Sequence, residues 1–370
     1  MRVLVDLHHF DLFHSFQRLF EGRLGWEVYR PIGLDWYAAG CWLLSEEPTV
    51  RTGYLSQISG ACRASLLPYW KERDASWARF ATELVRIGPI VQTNPETYEI
   101  QDLSKPGVNQ RGITFDGFKQ NRFDLLISSV PQHFYPFERL RECYQPHAKH
   151  VFHNGNVVWK LPPKVQNVMT NVSLIEHWDG LLHSVEYDQE FDLGTFPSTP
   201  GRIGTLGDEI LVRSYVHFPQ SEALWKAVGL GPDTRWTFEW IGRTLASLDE
   251  TIVESSALAL SMQRAHFIWH IKPGGEGFGH ILFNTFATGR PVIINAQDYG
   301  RTRGEHLLED QVTCIDVSSR SPEEVRNLLL EAAEPERYQA YCTAVTERFR
   351  NVVNFDADTK KIKRFLENLR

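Results

Sequence analysis

The sequence predicts an α/β protein with two similarly built halves facing each other across a cleft. Three observations predict it. The chain has 370 residues, of which 42% are hydrophobic and 23% charged, which is enough for two separate cores. Short apolar runs alternate with helix-period segments at both ends of the chain, the rhythm of parallel α/β units. Between them DQEFDLGTFPSTPGRIGTLGDE, residues 188–209, carries four glycines and two prolines, the composition of a connecting segment. The same arithmetic excludes disordered, collagenous and low-complexity classes.

Val3 to Leu7 reads as a short buried strand. After it, Phe16, Leu19 and Phe20 recur at helical spacing, Gly22 or Gly25 ends that helix, and Trp26 to Tyr29 reads as a second strand. Residues 34–88 are aromatic-rich, a pattern of core or interface packing that also suits a sugar-facing surface. Ile90–Gln92, Phe123–Ser128 and His150–Phe152 read as further strands, with a helix over 136–144. The polar, Gly- and Pro-punctuated piece 94–121 reads as an extended loop. Beyond 208, the strands read as EILVRSYVHF, WTFEWIG, AHFIWHIKP, RPVIINA and TCIDV. The helices between and after them are SEALWKAVG, TIVESSALALSMQRA, EGFGHILFNTFATG and the Ser- and Glu-capped SPEEVRNLLLEAAEP, and 336–370 is helical in pattern. The expected division is an N-terminal Rossmann-like domain over 1–190, a linker over 191–208, a C-terminal Rossmann-like domain over 209–345, and a last helix, 346–370, packing back on the first domain.

The net charge of -7 disfavours a strongly basic nucleic-acid binder and leaves room for a local basic groove. The five cysteines, at 41, 62, 143, 314 and 342, form no CxxC pair and do not suggest a disulfide framework. MRVLVDLHHF lacks the apolar core of a signal peptide, and no run approaches 18 apolar residues. The chain therefore reads as cytoplasmic, without a transmembrane segment.

The segment HIKPGGEGFGHILFNTFATGRPVIINA, residues 270–296, carries the chemistry. Pro273, Gly274, Gly275, Glu276, Gly277, Phe278 and Gly279 precede a helical run, and Phe286, Ala287, Gly289, Pro291 and Val292 lead into a strand. In order and spacing this resembles the sugar-nucleotide-binding region of retaining glycosyltransferases of the GT-B fold. The resemblance implies two Rossmann-like domains with a donor site in the second. Glycines at 274, 275, 277 and 279 would let backbone approach a diphosphate, with Phe278 inside the same loop, and the next helix would aim free N–H groups at the phosphates. Glu276 matches the family's first glutamate and is implied to touch the donor sugar. Eight positions on, where the family has a second glutamate for the ribose, this chain has Asn284, a neutral and weaker hydrogen-bonding partner.

LHHFDLFHSF places His8, His9, Asp11 and His14 just after the first strand, where loops of parallel sheets face a ligand. His9 or His14 is suited to take a proton from an acceptor hydroxyl, with Asp11 orienting it. The bland alternative is that they pack or face solvent. HHxDxxH matches no standard metal spacing. Arg213, Arg243 and Lys272 are the basic candidates for the donor diphosphate, with Lys226 a weaker one, since exposed cations are usually only solvated. Trp269 and His270 close one strand, Ser128, Ser129 and His133 follow another, and His153, Asn154 and Asn156 a third. Asp356 and Asp358 read as a helix cap. The resemblance thus implies sugar transfer from a nucleotide-sugar to a hydroxyl acceptor with no cofactor or metal required. Glycan, small molecule and nucleic acid all stay open as acceptor, and the oligomeric state is unassigned. An epimerase or hydrolase of the same fold, or a non-catalytic binding or scaffold protein, are the alternatives.

Overall fold

The structure, a computed structural model, describes residues 1–6, 10–31, 112–113, 115–129, 131–155, 164–173, 180–199, 209–216, 218–241 and 255–369. The first half begins with β1 (Arg2–Val5) and α1 (Phe10–Phe16), which runs on as a π-helical segment, Gln17–Arg23. Then come β2 (Glu27–Pro31), β3 (Gly112–Ile113), α2 (Phe115–Gln120), β4 (Leu125–Ser128) and α3 (Pro131–Tyr144). β5 (Lys149–Asn154), β6 (Asn167–Thr170) and β7 (His183–Glu186) complete it. Among the described residues these strands form a sheet in the order β3-β2-β1-β4-β5-β6-β7, and every pairing is parallel.

The second half contains β8 (Ile210–Ser214), α4 (Pro219–Val228), β9 (Trp236–Trp240), α5 (Ser255–Arg264), β10 (Phe267–His270) and α6 (His280–Ala287). β11 (Val292–Ile294), β12 (Cys314–Asp316), α7 (Pro322–Ala332), α8 (Pro335–Val352) and α9 (Phe355–Asn368) follow. Its sheet, also all parallel, has the order β12-β11-β10-β8-β9. No helix among the described residues is long and apolar enough to cross a membrane.

The central strands of both sheets are covered on two faces, which is why β1, β4 and β10 are buried almost throughout rather than alternating. In the second half Phe267 and Trp269 pack with Trp225, Val228, Val325 and Leu329 of α4 and α7. Ile268, on the opposite face, meets Met262, Phe283 and Phe286 of α5 and α6. In the first half Val3, Val5 and Ile127 join Phe13, Phe16 and Phe20 from the α1 side and Ile362 and Phe365 of α9. Leu4 and Leu126 face Phe118, Phe137 and Leu140 of α2 and α3. Strand order reverses between β1 and β4 in one sheet and between β8 and β10 in the other. A doubly wound sheet opens a ligand crevice beyond the carboxyl ends of its strands at such a reversal.

The structure corrects several expectations. The piece 94–121 is not loop throughout, since β3 and α2 occupy its end, and the strands β6 and β7 were not anticipated. The strand read over EILVRSYVHF stops at Ser214, whose hydroxyl turns back to donate to the Val216 carbonyl. The terminal segment is two helices, broken where Asn354 caps α9 by accepting from the Ala357 N–H. Asp356 and Asp358 therefore lie in the first turn and do not cap it. Residues 191–199 behave as packed chain: Phe196 is buried with Met262 and Phe286, and Arg290 holds the Thr199 carbonyl at 2.9 Å.

Candidate functional site

Glu276 lies in the loop between β10 and α6, at the strand-order reversal of the second sheet. Its carboxylate is gripped from three sides. His270 Nε2 lies 2.7 Å from Oε1, Lys272 Nζ lies 2.9 Å from Oε2, and the Tyr299 hydroxyl reaches Oε1 at 3.5 Å. Burial pulls the Glu276 pKa up, but Lys272 and His270 outweigh it and hold the group well below the usual carboxylate range. A carboxylate only accepts, so His270 Nε2 donates to it; the other ring nitrogen, Nδ1, is buried and without a hydrogen-bond partner among the described residues. The hydroxyl of Tyr299 is pushed well above its ordinary pKa by burial and by the Glu276 charge, so it stays a donor.

The local sequence dictates this pose. Gly275 sits at φ +65, and a Cβ there would fall 2.1 Å from the Asp298 carbonyl oxygen. At Gly279 a Cβ would fall 2.6 Å from Glu276 Oε1. Phe278 anchors the loop by stacking on Phe283 with ring centroids 4.0 Å apart. Gly279 is the N-cap of α6 and supplies no side-chain cap, so the helix presents backbone N–H groups and its positive dipole end beside Glu276. Asn284, one turn into α6, is buried, and its amide oxygen has no partner among the described residues.

The reversal in the first sheet carries Asp6 and Ser129. The Ser129 N–H lies within 2.8 Å of both Asp6 carboxylate oxygens and its hydroxyl donates at 2.6 Å, tying the ends of β1 and β4 together. His153, at the end of the neighbouring β5, is buried and bonds Asn171 Oδ1 at 3.1 Å. Ser128 instead turns under α3 to His150, which Glu138 holds at 2.7 Å, so this network fastens a helix to the sheet. The two halves meet beside these ends. Ser173 N–H donates to the Arg301 carbonyl at 2.9 Å, and His280 Nε2 lies 2.7 Å from Gln189 Oε1.

The residues singled out from the sequence divide clearly. Glu276, Lys272, His270, Gly274, Gly275, Gly277, Phe278, Gly279 and Asn284 share one loop and its helix. Arg213 is committed elsewhere: it sits mid-strand in β8 and bonds Glu239 at 2.7 Å and the Ser261 carbonyl at 2.8 Å. Lys226 is exposed and pairs with Glu222 within α4. His14 is in the last turn of α1, and Asp11, three residues before it, lies in the same helix. His133 lies in α3. His8, His9, Asn156 and Arg243, like the aromatic run 34–88, lie outside the described residues. The sequence reading missed Tyr299, Asp6, Asn171 and Gln189. An acidic residue closing the first strand was the available signal for Asp6, and nothing local marked the others.

No protein-family model matches the chain, and no curated protein matches it in sequence. Solved structures match it in fold. Alr3699/HepE of Anabaena, in complex with UDP and glucose, gives a TM-score of 0.59 at 10% identity over 100% of this chain and 99% of that one. The sucrose-phosphate synthase of Thermosynechococcus elongatus gives 0.56 at 12% identity over 98% of each chain. An α-glucosyltransferase in complex with UDP-glucose and DNA containing an abasic site gives 0.54 at 10% identity over 100% of each. The chain has the GT-B fold, with two parallel α/β sheets.

Proposed function

We propose that the protein is a glycosyltransferase that moves a sugar from a nucleotide-sugar, a UDP-sugar in the first instance, to a hydroxyl acceptor. The observation that carries this reading is the Glu276 carboxylate, kept ionised by Lys272 and His270 and contacted by Tyr299, beside the N-terminus of α6, which has no side-chain cap. The fold supports it by analogy, since the similar structures were solved with UDP, glucose or UDP-glucose. The proposed division is an acceptor-side domain over 1–190 and a donor-side domain over 209–345, with the site in the cleft between them and 346–370 returning to the first.

In this reading the backbone of 274–279 and the first turn of α6 receive the diphosphate, and Lys272 adds a cation. Asn284 turns its unpartnered amide oxygen to a ribose hydroxyl. Glu276 accepts from the sugar hydroxyls and so orients the ring. The bond from the anomeric carbon to the phosphate oxygen breaks, and the acceptor oxygen takes its place. The acceptor proton passes to a leaving phosphate oxygen, with retention of configuration. Positive charge fixed in advance around the leaving group stabilises the transition state without reorganisation.

The test is thermal shift of the wild type and of Glu276→Gln against UDP-, GDP-, ADP- and dTDP-sugars, followed by product analysis with glycan, small-molecule and DNA acceptors. One donor class should raise the wild-type Tm, because a ligand that binds only the folded state stabilises it. The variant should lose that rise while melting within a few degrees of wild type, and the product should keep the donor's anomeric configuration. A flat screen across all donors would sink the transferase reading.

A further inference from the structure

We propose that Asn171 and Gln189 are positioning residues that hold His153 as its Nε2–H tautomer, offer its Nδ1 lone pair beside Gly155, and couple that state to His280 at the start of α6. The coupling to a donor rests on the reading above; the tautomer does not.

Asn171 Nδ2 donates to the Tyr187 carbonyl at 2.6 Å, which orients the amide and leaves Oδ1 as acceptor. Two groups converge on that oxygen, Gln189 Nε2 at 2.6 Å and His153 Nε2 at 3.1 Å. An amide oxygen cannot donate, so His153 Nε2 must carry hydrogen. Gln189 is oriented in turn: with Nε2 committed to Asn171, its Oε1 accepts from His280 Nε2 at 2.7 Å. The four side chains form one ordered chain across the junction of the halves. No proton travels along it, because both amides are fixed in their roles. What it transmits is orientation.

His153 Nδ1 is left as a bare acceptor, buried and without a partner among the described residues. Its ring is clamped edge-on by Phe16 at 5.5 Å and Tyr187 at 5.9 Å between centroids. Gly155 keeps the remaining edge open, since a Cβ there would stand 2.9 Å from His153 Cε1 and 3.5 Å from Nδ1. Burial pulls the His153 pKa down to about 4, with a small push the same way from His280, against the Asn171 hydrogen bond and Asp6. Those groups face it from the ends of β1 and β6 and from the start of α6, and with them the ring is neutral at physiological pH. A neutral imidazole with one lone pair free accepts a hydroxyl hydrogen. His280 opens the helix that follows the Glu276 loop, so a donor that shifts α6 would pull on the same chain.

The experiment is long-range proton–nitrogen NMR on full-length protein labelled with nitrogen-15 histidine, with His153 assigned by its loss in His153→Gln. Ligand-free wild type should show His153 as the Nε2–H tautomer at neutral pH, titrating far below 6.5. Asn171→Asp keeps the shape and an accepting oxygen but adds a negative charge, and should raise the His153 pKa by about 1 unit or more. Gln189→Leu should leave His153 in place and shift the His280 Nε2 signal, because the oxygen 2.7 Å from it is removed, which covers the case in which Asn171→Asp does not fold. An Nδ1–H signal for His153, or a His280 signal untouched by Gln189→Leu, would overturn the proposal. UDP-glucose should then shift the His153 signals in wild type and not in Gln189→Leu. If UDP-glucose binds and both proteins respond alike, the coupling is wrong. If it does not bind, the transferase reading loses its donor while the ligand-free tautomer still decides the positioning role.

Discussion

Gly279 has no side chain because Glu276 occupies the space one would fill: a Cβ would stand 2.6 Å from the carboxylate and 3.1 Å from Leu282 Cβ. Leu282 is fixed in the core, so the carboxylate is what would move. Gly279→Ala should therefore displace Glu276 from His270 and Lys272, weakening donor-induced stabilisation by about tenfold in apparent Kd with only a few degrees lost in Tm. Gly274→Ala is the control. Gly274 has positive φ, at +75, and nothing lies within 4 Å of its Cβ position, so the change should cost about 1 kcal/mol of strain without moving Glu276 and should weaken the donor response less than Gly279→Ala does. Equal effects of the two changes on Kd would refute the steric argument. The glycine spacing made this loop legible in the sequence: Gly274 and Gly275 take positive φ, and Gly279 leaves room for the Glu276 carboxylate. Tyr299 was not legible, since it reaches Glu276 from 23 residues away and carries no spacing of its own.

At the scale of elements, helices whose stripe repeats within the chain were readable and strands defined by their neighbours were not. α9 shows the first case: Phe355, Ile362 and Phe365 are buried at helical intervals while Lys360, Lys363 and Arg364 are exposed. Ile362 sits in the core of the first sheet with Val3 and Ile127, although it is more than 200 residues from either. Ile362→Ala should destabilise the protein by about 2–5 kcal/mol, read by urea denaturation, while Lys363→Ala should change stability by less than about 0.5 kcal/mol. A loss at Ile362 below about 1 kcal/mol would mean that α9 frays from the sheet. β6 and β7 show the second case. NVMT and HSVE are four residues each and mixed in polarity; the first becomes a strand because β5 supplies a parallel partner in register, Phe152 against Val168, and the second because β6 does, Val168 against Ser184.

For the whole molecule, the chain leaves the first half near Asp188 and returns near Asp358, and two arginines stitch that crossing. Arg303, from the second half, grips Asp188 through Nε at 2.8 Å and Nη2 at 3.2 Å, while the Asp188 N–H donates to Asp358 at 3.0 Å. On the other side Arg23, from the first half, holds Glu190 at 3.0 Å and also Asp356. Burial lifts the Asp188 pKa further than Arg303 lowers it, whereas Asp188 raises that of Arg303 against its own burial. The carboxylate is therefore the strained partner, its charge disfavoured by burial and supported by the guanidinium. No pattern in the sequence pairs residues 115 apart, so this contact was invisible before the fold was known. Arg303→Leu strands a buried carboxylate and should cost about 3–5 kcal/mol, of which adding Asp188→Leu should return at least half. The clamp also joins the two cores, beside the Ser173–Arg301 and His280–Gln189 contacts. Calorimetry should show one unfolding transition in wild type and two in Arg303→Leu, because each half then unfolds on its own. If the variant keeps a single transition with a loss below about 1 kcal/mol, the halves are held by packing and the ion pair is only an accessory to it.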